Sequence, residues 1–263
     1  MVIVLVGILS TVLIVFIVTP FQAARDIERR ADLVDAADLA LNRISRELRG
    51  ALPNSVRVHA TGHIEFIGTV TGGRYRRLPE AGGGGDLFVP FRSSDSFDVP
   101  GGLIDFGQIA TRSAGVNCGT SAGHCLSVFN TGQPGFNAYA GDNLAAIAAR
   151  DANTITYDNG GSEPAFAAHS PQQRFFVVDS VVSYVCNPAT GELRRHAGYG
   201  LDTTAPSLPT GGGELVVTRV ADCQFSYAPG TAARRGLVSL RLDLENEGER
   251  VFLLVQAQVL NSP

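Results

Sequence analysis

Tryptophan and lysine are absent from this chain of 263 residues, methionine occurs once, and only 8% of the residues are aromatic. All 21 basic residues are arginine, a coding bias more than a chemical signal. A cationic excess is missing too. The net charge is -4, so the chain lacks the electrostatic footprint of a nucleic-acid binder, and that class is excluded. Charge is also missing from the first 18 residues, Met1 to Val18, which are apolar or small throughout. No basic residue precedes this run, it exceeds the roughly 7 to 15 residues of a signal-peptide core, and no small-residue cleavage site follows it. Phe21-Gln22-Ala23 puts a large aromatic where a small residue belongs, which argues against a cleaved signal.

As a helix the run would rise about 27 Å at roughly 1.5 Å per residue, close to a hydrocarbon core of about 30 Å. A retained membrane anchor is therefore expected at residues 1–20. Beyond Pro20 the apolar positions Ile27, Ala31, Val34, Ala37, Leu41, Ile44 and Leu48 fall at helical spacing and predict an amphipathic helix over residues 21–49. The other faces carry six arginines against six acidic side chains, a neutral mixture that lets such helices pack beside one another. Gly50 is a natural C′ residue and Pro53 forbids continuation. Past Leu33 the stripe is expected to cover the chain's own sheet; nearer the start there is no sheet for it to cover.

Most of the 30 glycines and 13 prolines follow residue 50, favouring short strands joined by many turns. Strands are expected at Ser55 to His59, His63 to Ile67, Arg74 to Leu78, Leu103 to Ile109, Leu126 to Phe129, Thr154 to Tyr157, Arg174 to Cys186, Leu215 to Val220 and Cys223 to Tyr227. Asp142 to Arg150 reads as a short helix. Val238, Leu240, Leu242 and Leu244 alternate with polar residues, and Glu245-Asn246-Glu247-Gly248 then turns into Val251 to Leu260, a hairpin with one buried face. The expected fold class is α+β: a long N-terminal helix, membrane-spanning in its first half, packed on an antiparallel β-sheet domain at residues 50–263.

Four cysteines form an even set that allows three connectivities. Locality favours Cys118 with Cys125, and strand context favours Cys186 with Cys223; either bond implies an oxidising compartment. Gly119-Thr120-Ser121-Ala122-Gly123 has the G-x-S-x-G form of a hydrolase elbow. It lacks the strand before and the helix after that expose the serine, and reads as a loop between two cysteines. His59 and His63 lie four apart across a turn instead of on one helical face, and His124, His169 and His196 are scattered. Asp158-Asn159-Gly160 reads as a turn, lacking the later glutamate of a calcium loop. Gly82 to Gly85 follows Leu78-Pro79-Glu80-Ala81 and is not a dinucleotide fingerprint. No catalytic, cofactor-binding or metal-ligating residue is assigned, and no enzyme is expected.

The block VIVLVGIL at Val2 to Leu9, with the amphipathic helix behind it, resembles the N-terminal helix of type IV pilins and of the pseudopilins of type II secretion. LNRISRELRGALPNSVRV at Leu41 to Val58 and SYVCNP at Ser183 to Pro188 are similar to the O-type minor pilin-like proteins of mannose-sensitive haemagglutinin pilus biogenesis. The family carries a basic leader ending in glycine, then a phenylalanine and a glutamate; this sequence shows none of these, as though its start lay upstream. The resemblance implies a structural subunit that initiates or tips a pilus, with Val2, Val6, Leu9, Leu13, Phe16 and Ile17 on its assembly helix. Other pilin subunits and an inner-membrane assembly platform would be its partners, together with a prepilin peptidase where a leader exists. It places the chain in the inner membrane as a single-pass protein with a periplasmic domain, and afterwards in the pilus. Two alternatives stand beside it: a J-type minor pseudopilin of a type II secretion system, and a membrane-tethered periplasmic binding module or adhesin.

Overall fold

The computed structural model describes residues 2–79, 83–104, 106–113, 118, 123–161, 164–203, 212–231 and 234–263; within the helix the side chains of 2–21 and 23 lie outside the description. The helix, α1, runs Val2–Arg49. Its buried line is Leu33, Ala37, Leu41, Ile44 and Leu48, each at most 1% exposed. Burying an aliphatic side chain of this size stabilises by about 1.5–3 kcal/mol, so this line fixes the helix on the body. Ile27 and Val34, expected on the same stripe, fall outside it at 70% and 37% exposure. The helix also ends differently from expectation. Gly50 does not take the left-handed conformation. Instead the Gly50 and Ala51 amides donate to the carbonyls of Glu47 and Leu48, closing a tight last turn. The Gly50 carbonyl then accepts from the Thr69 amide at 3.2 Å and the Thr69 hydroxyl at 2.7 Å, so the chain leaves the helix straight into a sheet.

Two antiparallel sheets follow. The larger contains β1 (Arg57–Ala60), β2 (His63–Arg74), β3 (Ser94–Asp98), β4 (Cys125–Ser127), β5 (Leu144–Arg150), β6 (Thr154–Asp158), β7 (Arg174–Asn187), β8 (Glu192–Tyr199) and β9 (Glu214–Thr218). β7 is its spine. One of its edges pairs with β2 along nearly the whole length, while the other is shared by β4 at Phe176 to Val178 and by β8 from Val181 onward. The smaller sheet has the order β10 (Val220–Ala228), β11 (Gly236–Asn246), β12 (Glu249–Val259). Val238, Leu240, Leu242 and Leu244 of β11 are all fully buried. The β11–β12 turn consists of Glu247 and Gly248, both at positive φ, the conformation that matches the twist of a two-residue hairpin.

These findings correct the expected α+β class. Twelve strands against one helix among the described residues make this a mostly antiparallel β protein, in two sheets where one was expected. The apolar face of α1 lies chiefly on β11 and β12, and two of the three apolar clusters include no α1 residue. Asp142 to Arg150, expected to be helical, contributes β5 instead: Leu144 to Ile147 are buried between β4 and β6, and this pairing outweighs the helix preference of the alanines. Among the described residues of Leu103 to Ile109 there is no strand, only a 3-10 turn at Phe106–Gln108. Arg74 closes β2, and Tyr75 to Leu78 lie beyond it.

The expected transmembrane anchor, and with it the single-pass inner-membrane location, is also corrected. Among the described residues no helix is long and apolar enough to cross a membrane. The described side chains of α1, in residues 22–49, include twelve charged ones, which rules out a long uncharged window there. The assembly-helix positions Val2, Val6, Leu9, Leu13, Phe16 and Ile17 have helical backbone, but their side chains lie outside the described residues.

Candidate functional site

The densest cluster of functional side chains sits on the β1–β2 hairpin, where sequence spacing argued against one. Val58 pairs with Ile64 and Ala60 with His63, so His59 is an extra residue, a bulge that re-aims its side chain. The hairpin turn is pinned from below. The Cys186 amide donates to the Gly62 carbonyl at 2.8 Å, and the Phe225 amide to the Thr61 carbonyl at 2.5 Å. A Cβ at Gly62 would stand 3.1 Å from the Cys186 Cβ, so any side chain there would crowd the disulfide. Cys186 is bonded to Cys223, with Cα atoms 6.5 Å apart, which ties β7 to β10 directly beneath the turn.

Glu65 lies at the centre, fully buried. Such a charge persists in the interior only when paired and hydrogen-bonded. Arg57, directly across the ladder, donates from Nε to Glu65 Oε1 at 2.6 Å, and the Tyr199 hydroxyl donates to Oε2 at 2.9 Å. Tyr199 shares a hydroxyl–hydroxyl hydrogen bond with Ser183, whose Oγ lies 3.1 Å from His63 Nε2. These contacts form a continuous polar chain from His63 through Ser183 and Tyr199 to Glu65. The imidazoles of His59 and His63 are 4.9 Å apart, and His59 Nε2 is 3.7 Å from Glu65 Oε1. That nitrogen is buried and has no hydrogen-bond partner.

Burial, reinforced by His59, lowers the His63 pKa to about 4, so its ring is neutral at pH 7. Burial also pushes the Tyr199 hydroxyl well up, which keeps it a donor. Arg57 has other partners: it donates to the Asp202 carbonyl at 2.6 Å and lies 3.6 Å over the ring of Tyr139. The Tyr139 hydroxyl in turn donates to the Ser55 carbonyl.

One ligand atom each from His59, His63 and Glu65 lie within 4.8 Å of one another. This juxtaposition was not visible from spacing, because a turn at four residues separates side chains on an ideal hairpin and only the bulge reunites them. Of the other sequence candidates, His196 stands beside the cluster, across the ladder from Ser183, and the rest do not converge on it. His124 faces Asp179 at 3.6 Å, while His169 stacks near Tyr75 and Phe88. Asp158 accepts from the Gly160 amide at 2.8 Å, as a turn residue does. Gly119, Thr120, Ser121 and Ala122 lie outside the described residues, whereas Cys118 and Cys125, which bracket them, are bonded with Cα atoms 5.9 Å apart. Gly82 also lies outside the described residues.

No family model, no curated protein and no solved structure matches this chain.

Proposed function

We propose that the chain is a structural assembly subunit of the minor pilin-like kind, acting by packing and without turnover. The observation that carries this reading is the two-sidedness of α1. From Leu33 onward one line of the helix is buried on the body, chiefly on the small sheet, whereas Ile27, Ala31 and Val34, at helical spacing along a neighbouring line, are exposed. Residues i, i+4 and i+7 share a face, so these three make an apolar strip that the chain itself does not cover. Around them Arg25, Glu28, Arg30, Asp32 and Asp35 mix both signs, which lets helices of the same kind approach without net repulsion. The partners are other long-helix subunits of the same assembly.

Photocrosslinking residues at Ile27 and Val34, with exposed Leu78 as the control position, test the reading in the source cells. Adducts at both helix positions to other pilin-like subunits are expected, together with loss of those adducts and fewer filaments in Ile27→Asp/Val34→Asp. Adducts no more frequent than at Leu78 would sink the proposal.

A further inference from the structure

We propose that His59, His63 and Glu65 form a binding site for a divalent transition-metal ion of the zinc type. Two imidazoles and a carboxylate are a borderline-soft donor set, which selects zinc or its neighbours over calcium or magnesium, whose sites are built from oxygen. The three ligand atoms already lie within 4.8 Å of one another. Rotamer adjustments draw them to the separations required by bonds of about 2.0–2.2 Å, and a fourth, open position remains for water. His59 Nε2 is the sharpest sign, being a buried nitrogen without a partner, 3.7 Å from the carboxylate. An orphaned buried polar atom is costly, and a metal ion satisfies it.

The supporting contacts have the form of a metal site's outer layer. Tyr199 holds Glu65 Oε2, and Ser183 holds a ring nitrogen of His63, so that the ligands are oriented before any ion arrives. Arg57 is the competitor. Its guanidinium neutralises Glu65 Oε1, and a divalent ion must displace it from that oxygen. The displaced group keeps its stacking on Tyr139 and its bond to the Asp202 carbonyl, so it has somewhere to remain. The site therefore exchanges one cation for another at Glu65, which makes affinity depend on Arg57 with a definite sign: removing Arg57 strengthens binding.

The test is calorimetric titration of the full, EDTA-stripped chain with zinc sulfate at pH 7.5, repeated with cobalt(II) to record its visible absorption. One ion per chain is expected. His59→Ala and His63→Ala should each weaken binding by more than about tenfold, a loss at least as large as outer-layer changes produce, and Arg57→Gln should tighten it. Imidazole NMR signals of the unaltered protein provide a measurement that needs no variant: zinc should shift those of His59 and His63 and leave His124 and His169 in place. Absence of saturable binding overturns the proposal. So does one-to-one binding that persists in His59→Ala/His63→Ala, or that shifts other histidines instead.

Discussion

The helix-covered half of the molecule and the half beyond it are built from different side chains. Where α1 meets β11 and β12 the core is chiefly aliphatic, with Leu41, Ile44, Leu48, Val238, Leu240, Leu242 and Leu244 at its centre. Around β3 and β6 it is aromatic: Tyr75, Phe88, Phe97, Tyr157, Phe166 and Phe175 interlock at centroid distances such as 4.4 Å for Tyr75–Phe88 and 5.1 Å for Tyr157–Phe166. The aliphatic half buries a repeating stripe of regular elements, and its order comes from periodicity. The aromatic half fills an irregular space, and large rings supply the area that short strands and loops do not.

Truncation at the two centres gives the largest effects and asks whether the halves unfold together. Phe88→Ala should cost about 3–5 kcal/mol and Leu242→Ala about 2–5 kcal/mol, measured by denaturant unfolding. With hydrogen exchange as the readout, Phe88→Ala is expected to loosen β3 and β6 before β11, and Leu242→Ala the reverse. Equal loosening in both variants would show one cooperative unit and remove the distinction.

The two disulfides sharpen the comparison next. Cys186–Cys223, with a sequence separation of 37, joins β7 of the large sheet to β10 of the small one. Cys118–Cys125, separated by 7, closes only a local loop next to β4. In the chain-entropy treatment the longer loop is worth about 4 kcal/mol and the shorter about 2 kcal/mol. Cys186→Ser/Cys223→Ser is therefore expected to lower the melting temperature more than Cys118→Ser/Cys125→Ser. It should also uncouple the sheets in the exchange experiment, which the shorter loop's variant should not do.

The contrast between the halves also explains what the sequence made legible. The β11–β12 hairpin was readable residue by residue, because Val238, Leu240, Leu242 and Leu244 alternate strictly and a glycine ends the turn. The helix was readable from its stripe up to the rotation that buries Leu33 and leaves Val34 exposed, a choice made by the sheet beneath it. Phe88 and Phe166 carried no such signal, since they sit in loops between strands and their burial follows from the tertiary path. β8 went unread for a related reason: Glu192-Leu193-Arg194-Arg195-His196 presents charged side chains whose partners, such as Glu47 for Arg195, lie far away in the chain. The helix has the loudest pattern, and nothing in the alternation of the long strands says that they divide into two sheets or that short strands such as β3, β4 and β9 extend the larger one. The His59/His63/Glu65 cluster stayed hidden behind one bulged residue.

A pH titration probes the end of β2 that lies away from the aromatic half. The His63 pKa is lowered from 6.5 to about 4 in the folded state, so the unfolded chain binds more protons in that window. Stability contributed here is complete above about pH 6.5 and falls as pH drops toward about 4. His63→Asn should flatten that part of the melting-temperature profile. An unchanged slope would mean that other groups, among them His169 and His196, whose pKa values burial also lowers, dominate the window.

The smallest effect concerns how the helix touches each sheet. On the small sheet α1 is held chiefly by apolar burial, with an ion pair from Arg29 to Glu247 in the β11–β12 turn; toward the large one a smaller apolar contact is joined by ions, Arg43 bidentate to Glu214 of β9 at 2.6–2.7 Å and Glu47 to Arg195 of β8 at 2.9 Å. Glu214 is half exposed, and exposed pairs are worth about 0.2–1 kcal/mol because solvent screens them and two long side chains must be held still. A double-mutant cycle of Arg43→Gln and Glu214→Gln should return a coupling in that range, and the coupling should shrink as salt is raised. A coupling above about 2 kcal/mol, insensitive to salt, would instead mean that the polar contact anchors the helix as firmly as the apolar one does. The large sheet would then hold the helix chiefly through ions, beside an apolar burial that falls mainly on the smaller sheet.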